Sequence, residues 1–193
     1  MKKIVIFCGA SPGFEAIYKQ QAYLAGKTLA QRNIELVFGG ANVGLMGEVA
    51  NGCLENGGRV TGVFPAFLSS FEIAHTKLTT LIEVETMHER KLKMHELSDG
   101  IIALPGGFGT LEELFEMLTW AQLGLHQKPI GLLNVNGFYD ELIAMSNKMV
   151  SAGFLKEPNR RMLLVDTTLS GLLAQMNDFK IQASPQWITP ERT

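Results

Sequence analysis

Short apolar runs alternate with longer stretches in which apolar residues recur every three or four positions, along nearly the whole 193-residue chain. Several of the short runs are continuously apolar, which is typical of strands that are covered on both faces of a sheet. This pattern predicts seven strands, at residues 4–8, 35–38, 60–64, 81–84, 101–104, 130–134 and 163–165.

The periodic stretches between these strands predict helices at residues 15–31, 45–55, 88–97, 111–123 and 139–151. Strand–helix alternation of this kind favours an α/β fold with a doubly wound parallel sheet. We expect a single domain over residues 1–180, followed by a polar, proline-containing tail at residues 181–193. In the fourth helix, apolar residues at helical spacing predict a core-facing stripe of Leu111, Leu114, Phe115, Leu118 and Ala121.

Composition narrows the class of protein and of partner. The formal charge of −2 gives no general attraction for nucleic acid, so any phosphate binding must come from a local site. Cys8 and Cys53 are too few for a disulfide framework, and we interpret both as small buried residues. No apolar run approaches the roughly 18 residues that span a bilayer, and the run after Lys3 is too short for a signal peptide. We therefore expect a cytoplasmic protein that binds neither nucleic acid nor membrane.

Three of the predicted strands are followed by glycine-rich loops, at residues 9–13, 39–47 and 105–110. In doubly wound sheets, ligands bind at the carboxyl ends of the strands, near the point where the strand order reverses. Three such loops at one edge indicate that the backbone approaches a ligand closely there.

The loop at residues 105–110 has the composition of a phosphate-binding turn. Gly106, Gly107 and Gly109 allow successive backbone N–H groups to face a ligand, and Thr110 with Glu113 fits a capping box at the start of a helix. The loop matches neither the dinucleotide fingerprint nor a Walker motif. A tight strand-to-helix turn without a ligand explains the same residues.

Arg90 and Lys91 follow the fourth strand, at the start of a predicted helix. Cations are unfavourable beside the positive end of the helix dipole, so an anionic ligand is one candidate to compensate them. Arg90 can bind phosphate through its planar fork and Lys91 as a point charge. The alternative is a solvated basic face paired with Glu89 and Glu96.

Carboxylates and histidines complete the candidate chemistry. Glu112 and Glu113 point about 100° apart on a helix, so both cannot face one site equally. Glu72 is a further carboxylate that could enter the site. The four histidines, His75, His88, His95 and His126, have no metal-ligand spacing, so we expect no metal.

A phosphate-binding loop beside a carboxylate suits cleavage of a glycosidic bond. The transition state carries positive charge on the ribose, which a fixed carboxylate stabilises while it orients or deprotonates water. Binding of the phosphate supplies remote binding energy that holds the sugar in a reactive pose. This chemistry needs no cofactor.

Two segments closely resemble the signatures of the LONELY GUY family of cytokinin riboside 5′-monophosphate phosphoribohydrolases. The likeness covers roughly residues 4–173 and includes residues 39–40, 44–47, 119–124, 128–134 and 153–154. The two signature segments are Met87-His88-Glu89-Arg90-Lys91 and Pro105-Gly106-Gly107-Phe108-Gly109-Thr110-Leu111-Glu112-Glu113.

The resemblance implies a Rossmann-like fold, a homodimer and hydrolysis of nucleoside 5′-monophosphates, often with an N6-substituted adenine. It makes Arg90 and Glu113 the expected catalytic pair; the choice of Glu113 over Glu112 rests on the resemblance. The substrate-binding residues that it implies are Glu72, Lys91, Gly107, Phe108, Gly109, Thr110, Leu111, Glu112 and Thr119.

This chain departs mildly from the family pattern. Ala10 stands where Ser is frequent, Ala41 where a third consecutive Gly is common, and Phe108 where Tyr is frequent. These changes bear on base preference or affinity and spare the catalytic pair. The alternative function is a non-catalytic nucleotide-binding or carrier module. Relatives often carry the label lysine decarboxylase, but no lysine here stands in a recognisable pyridoxal-phosphate setting.

Overall fold

The computed structural model describes residues 1–70 and 74–180, and within them seven strands form one parallel sheet. Their spatial order is β4-β3-β2-β1-β5-β6-β7, which confirms the predicted doubly wound sheet. The strands are β1 (Lys3–Phe7), β2 (Glu35–Phe38), β3 (Val60–Pro65), β4 (Thr80–Val84), β5 (Gly100–Ala103), β6 (Ile130–Leu133) and β7 (Leu163–Asp166).

The five predicted helices are present, with their first residues shifted by one to three positions. Two helices were not predicted, the short α6 and the longer α7, although Leu169, Leu172, Leu173 and Met176 do recur at helical spacing in α7. The helices are α1 (Ala16–Gln31), α2 (Gly44–Leu54), α3 (Met87–Leu97), α4 (Phe108–Gln122), α5 (Asp140–Ser151), α6 (Glu157–Arg160) and α7 (Leu169–Asp178). Two 3₁₀ helices lie at Ala66–Ser70 and Val135–Gly137.

The continuously apolar strands are explained by two cores, one on each face of the sheet. Alternate residues of a strand point to opposite faces. Ile4 and Ile6 of β1 therefore pack with α1, α2 and α7, whereas Val5 and Phe7 pack with residues of α3, α4 and α5. Residues of the central strands are fully buried on both faces, as the sequence indicates.

One part of the predicted α4 stripe is wrong. Leu114 and Ala121 are buried, and Leu111 and Leu118 are partly buried against the core, but Phe115 is 37% exposed. The buried face instead follows positions 110, 114, 117 and 121. Residue 115 lies about 100° away from residue 114, on the side that turns towards solvent.

The strand order reverses at β1, which lies between β2 and β5. The loops after β1, β2 and β5 consequently leave the sheet at the same edge, which is where ligands bind in this class of fold. Two predictions fall outside the described residues: the position of Glu72 and the tail at residues 181–193.

Candidate functional site

The three glycine-rich loops meet at the carboxyl edge of the sheet and are hydrogen bonded to one another. The Gly9 N–H donates to the carbonyl of Pro105 at 3.0 Å, and the Leu45 N–H donates to the carbonyl of Gly9, also at 3.0 Å. The loop after β1 thus bridges the loop after β5 and the first turn of α2. The predicted convergence of the three loops is confirmed.

A cavity of about 640 Å³ opens between these loops. This volume suits a small-molecule ligand. Its lining is mainly apolar, with a few polar and charged side chains. The lining residues are Cys8, Gly9, Ala10, Ser11, Pro12, Gly13, Tyr18, Leu45, Met46, Phe67, Leu68, Met87, Arg90, Pro105, Gly106, Gly107, Gly109, Thr110, Glu112, Glu113 and Phe138.

Helix α4 begins at this cavity, two residues before the predicted capping box. Gly107 is the N-cap residue and has no side chain to cap the first turn, whereas Thr110 lies inside that turn and is 4% exposed. The capping box of Thr110 and Glu113 is therefore wrong. Thr110 packs against Gly106, where a Cβ atom would overlap its hydroxyl. The first turn keeps backbone N–H groups that no side chain caps, next to the positive end of the helix dipole.

The Arg90 side chain is buried beneath the cavity and contacts the ends of two strands. Its Nε donates to the carbonyl of Val63 in β3 at 3.2 Å, and its Nη2 donates to the carbonyl of Gly39 after β2 at 3.0 Å. A Cβ atom at position 39 would overlap the guanidinium, so glycine is required there. These bonds turn most of the fork towards the protein. The alternative of a solvated basic face is wrong for Arg90, which is 7% exposed.

Glu113 is the carboxylate that lies beside Arg90 in the lining of the cavity. Its Oε1 is 4.0 Å from Nη1 of Arg90, which is too long for a hydrogen bond. Burial raises the pKa of Glu113 to about 7, and the charge of Arg90 only partly opposes that rise. The carboxyl group is consequently divided between its acid and its base form near neutral pH, which is the condition that general acid–base chemistry favours.

Lys91 contacts carboxylates on α4. Its Nζ donates to Glu112 at 2.5 Å and to Glu116 at 3.0 Å. Burial lowers the pKa of Lys91, but the hydrogen bonds to the two glutamates outweigh it, and the net shift is upward. We call Lys91, Glu112 and Glu116 the outer cluster, and Arg90 with Glu113 the inner pair. Lys91 is also buried, so the solvated basic face is wrong for it too.

The chain's relatives share most of its length. Residues 46–176 match a family model described as "possible lysine decarboxylase". The chain is 46% identical to a probable cytokinin riboside 5′-monophosphate phosphoribohydrolase of Oryza sativa subsp. japonica, with 92% of this chain and 72% of the relative covered. It is 41% identical to a cytokinin riboside 5′-monophosphate phosphoribohydrolase of Arabidopsis thaliana, with 96% and 90% covered.

The chain belongs to the LONELY GUY family. Solved structures with lower identity share its fold. A molybdenum cofactor binding protein from Rippkaea orientalis superposes with a TM-score of 0.69 at 21% identity, covering 92% of this chain and 97% of that one. A molybdenum cofactor carrier protein from Chlamydomonas reinhardtii gives 0.68 at 20% identity, covering 91% and 95%. At such identities the likeness concerns the fold alone.

The site residues that the family resemblance implies are distributed unevenly around the cavity. Gly107, Gly109, Thr110 and Glu112 line it together with the inner pair. Four others are not among its described lining: Lys91 in the outer cluster, Phe108, Leu111 and Thr119.

Three of these four lie elsewhere on α4. The Phe108 side chain is 93% exposed, and Leu111 packs partly against the core. Thr119 is exposed, and its hydroxyl donates to the carbonyl of Phe115 at 2.7 Å. These residues can contact a nucleotide only if the ligand extends beyond this cavity, or if they line the cavity of a second chain.

Some lining residues of this LONELY GUY protein were not recognised from the sequence. Cys8 was correctly expected to be buried, but it also lines the cavity, and burial raises the pKa of its thiol far above the usual range. Its position directly after β1, at the ligand-binding edge of the sheet, could have predicted that Cys8 lines the cavity. Tyr18 and Phe138 pack edge to face, with ring centroids 5.8 Å apart, and form an aromatic wall.

Two features of the described residues bear on other functions. Within residues 1–70 and 74–180, no group of three or more histidine, cysteine, aspartate or glutamate side chains is arranged to hold a metal ion. Over the same ranges, none of the helices has the length and apolar character needed to cross a membrane.

Proposed function

We propose that this protein hydrolyses the N-glycosidic bond of nucleoside 5′-monophosphates of the adenosine type, including N6-modified ones such as cytokinin riboside 5′-monophosphates. The products are the free base and ribose 5-phosphate. The observation that carries the proposal is the buried carboxyl group of Glu113, held beside Arg90 in a cavity that the N-terminus of α4 also lines. The names of relatives more than 40% identical to this chain support the same reaction.

The 5′-phosphate is proposed to bind at residues 107–110. The first turn of α4 offers backbone N–H groups that no side chain caps, and the helix dipole favours a dianion there. Arg90 contributes a positive charge nearby, but two of its donor groups are already bonded to Val63 and Gly39. We therefore assign phosphate binding to the backbone of α4 rather than to the Arg90 fork.

Glu113 is proposed to face the ribose. In its ionised form it stabilises the positive charge that develops on the sugar, and it can orient or deprotonate the attacking water. Cleavage breaks the bond between C1′ and the base nitrogen, the water oxygen bonds to C1′, and a proton passes to the departing base. Arg90 keeps the carboxyl group partly ionised despite its burial, because its charge opposes the effect of desolvation on the pKa of Glu113.

The remaining substrate contacts are proposed from the family. They are Glu72, Lys91, Phe108, Leu111, Glu112 and Thr119, of which Glu112 already lies at the cavity. The aromatic wall of Tyr18 and Phe138 supplies an apolar surface suited to a purine base. No cofactor is required, and the described lining contains no lysine that could form a Schiff base with pyridoxal phosphate.

A homodimer is proposed to act in the cytoplasm. Leu92 on α3 and Phe115 on α4 expose 48% and 37% of their surface on the two helices that carry the outer cluster. A second subunit packed on these helices would cover both side chains. The two free cysteines suit a reducing compartment.

The decisive experiment incubates the purified protein with AMP and with N6-isopentenyl-AMP, and follows base release by chromatography. We expect free base and ribose 5-phosphate in equal amounts, and loss of both with Glu113→Ala. Nucleotide binding without base release from either substrate would overturn the proposal in favour of a carrier module.

A further inference from the structure

Tyr139 lies at the carboxyl edge of the sheet, after β6. It is not one of the site residues that the family resemblance implies. Its side chain is buried, and its hydroxyl donates a 2.6 Å hydrogen bond to the carbonyl of Leu104. Leu104 is the residue that connects β5 to the glycine loop at residues 105–110. The hydroxyl therefore contacts the backbone at Leu104, one residue before the loop begins at Pro105.

This hydrogen bond replaces a missing strand partner. The Leu104 N–H still donates to the carbonyl of Phe7 in β1 at 2.9 Å, but the last paired residues of β1 and β5 are Phe7 and Ala103. The carbonyl of Leu104 lies beyond that pairing, and the Tyr139 hydroxyl takes the role of the donor. The next carbonyl, that of Pro105, accepts from the Gly9 N–H. Both peptide groups at the entrance of the loop are thus held by groups from other segments.

Tyr139 is itself held rigidly. Its backbone N–H donates to the side-chain oxygen of Asn134 at 2.8 Å, and the Asn134 amide donates to Asp140 at 2.7 Å. Its ring packs edge to face with Phe138, with centroids 4.8 Å apart. The hydroxyl therefore has a defined position relative to both the aromatic wall and the glycine loop.

We propose that Tyr139 is a positioning residue for phosphate recognition, because its hydroxyl fixes the Leu104 carbonyl and so aims the N–H groups of residues 107–110 at the 5′-phosphate. The inference rests on the proposed function, in which those groups bind the phosphate. Hydrogen bonds weaken steeply when donor and acceptor are misaligned. Without the hydroxyl, a buried carbonyl is left unpaired, and the loop shifts to satisfy it.

The test compares Tyr139→Phe with the unchanged protein, using ribose 5-phosphate and adenine as separate ligands in calorimetry. The variant keeps the ring, so the core stays filled. We expect the Kd for ribose 5-phosphate to rise about tenfold, which corresponds to weakening the phosphate contacts of residues 107–110 by about the net value of one hydrogen bond. The Kd for adenine should change less than twofold. In steady-state assays with AMP, KM should rise while kcat changes little, since the loop binds phosphate equally in substrate and transition state.

Two matched variants separate positioning from general destabilisation. Tyr23→Phe also removes a tyrosine hydrogen bond, the exposed 2.8 Å bond from Tyr23 on α1 to Glu55 at the end of α2, and should change neither affinity. Val60→Ala truncates the buried start of β3, at the opposite edge of the sheet, and should lower Tm without changing the affinity for ribose 5-phosphate.

The outcomes distinguish this inference from the proposed function. Unchanged ribose 5-phosphate affinity in Tyr139→Phe would overturn the positioning role, as would an equal loss of affinity in Val60→Ala. If the unchanged protein binds neither ribose 5-phosphate nor AMP, the proposed function itself fails.

Discussion

Arg90 and Lys91 are neighbours on α3, and each faces a glutamate of α4, but the two ion pairs differ in length and in surroundings. In the outer cluster, Lys91 makes hydrogen bonds of 2.5 and 3.0 Å to Glu112 and Glu116. In the inner pair, Arg90 and Glu113 are 4.0 Å apart beside the cavity. The short ion pairs of Lys91 hold α3 and α4 together. The longer pair of Arg90 and Glu113 leaves the charge of the Glu113 carboxyl group incompletely compensated.

The comparison shows why adjacent residues in a motif acquire different roles. A helix turns about 100° per residue, so Glu112 points towards Lys91 at the mouth and Glu113 towards Arg90 inside. Burial then acts on the inner carboxyl group, and its pKa rises to about 7. We expect substitutions in the inner pair to affect chemistry and those in the outer cluster to affect the contact between helices.

The largest effect is expected from Glu113→Gln, which keeps the shape of the side chain and removes its charge. Base release from AMP should fall by about 10³-fold in kcat, within the range for a lost acid–base group. Glu116→Gln, on the same helix, is the matched control and should retain activity within about tenfold. Full activity of a folded Glu113→Gln protein would refute the assigned role.

The next largest effect is expected from Gly39→Ala. Its new Cβ would overlap the Arg90 guanidinium, so the side chain must leave the carbonyls of Gly39 and Val63. We expect kcat to fall about 10²-fold, because Glu113 loses a fixed counter-charge. Gly47→Ala, in α2 and away from Arg90, should change kcat less than twofold. Equal activity of both variants would mean that the inner pair tolerates displacement.

A smaller effect is expected from pH. If the ionised form of Glu113 is the active one, kcat/KM should rise with pH and level off above the pKa of about 7. Between pH 8 and pH 6 the expected loss is about tenfold, since one unit below its pKa a carboxyl group is about one-tenth ionised. A rate that falls as pH rises through 7 would instead make Glu113 the general acid.

The pH dependence of the free energy of unfolding should report the pKa of Glu113 in the absence of substrate. Glu113 is raised above its ordinary value of 4.5, so between about pH 4.5 and 7 the folded state holds a proton that the unfolded state has lost. The free energy of unfolding should therefore fall as pH rises through this window, by at most about 3 kcal/mol. Urea unfolding should show no such loss in Glu113→Gln; an identical pH dependence in both proteins would place the pKa elsewhere.

The smallest effect on activity is expected from Lys91→Met. Removal of the cation leaves Glu112 and Glu116 facing each other unpaired, so the free energy of unfolding should fall by about 1–2 kcal/mol. A KM for AMP that changes less than threefold would mean that Lys91 acts only between the helices. A KM increase of tenfold or more with unchanged Tm would support the substrate contact proposed for Lys91.

The sequence was informative wherever a residue acts through its local pattern. Short apolar runs predicted all seven strands of the described sheet. The runs are continuous in the central strands, because both faces of these strands are covered, whereas the edge strand β4 is largely exposed. The glycine loops predicted the edge at which the cavity lies, because parallel strands bring their carboxyl ends together. Arg90 and Glu113 were reached through the family signatures, and the structure brings them together.

Contacts between distant segments could not be predicted in the same way. The capping box failed because α4 begins at Phe108, so that Thr110 lies inside the first turn and packs against Gly106. Nothing near Arg90 in sequence indicates that its side chain binds the carbonyls of Gly39 and Val63. The bond from Tyr139 to Leu104 joins residues 35 positions apart. Such contacts are set by the packing of strands and helices, which a pattern of residue types does not encode.

The central position of β1 determines when the site can exist during synthesis of the chain. Its cavity needs the loop after β1, the carbonyls after β2 and in β3, and the start of α4 after β5. A nascent chain that has emerged only as far as β4 has the loops after β1 and β2, but it lacks the glycine loop after β5 that lines the other side of the cavity. We therefore expect nucleotide binding to appear only after Phe138 and Tyr139, which follow β6, have left the ribosome, and ligand to favour completion of folding from that moment.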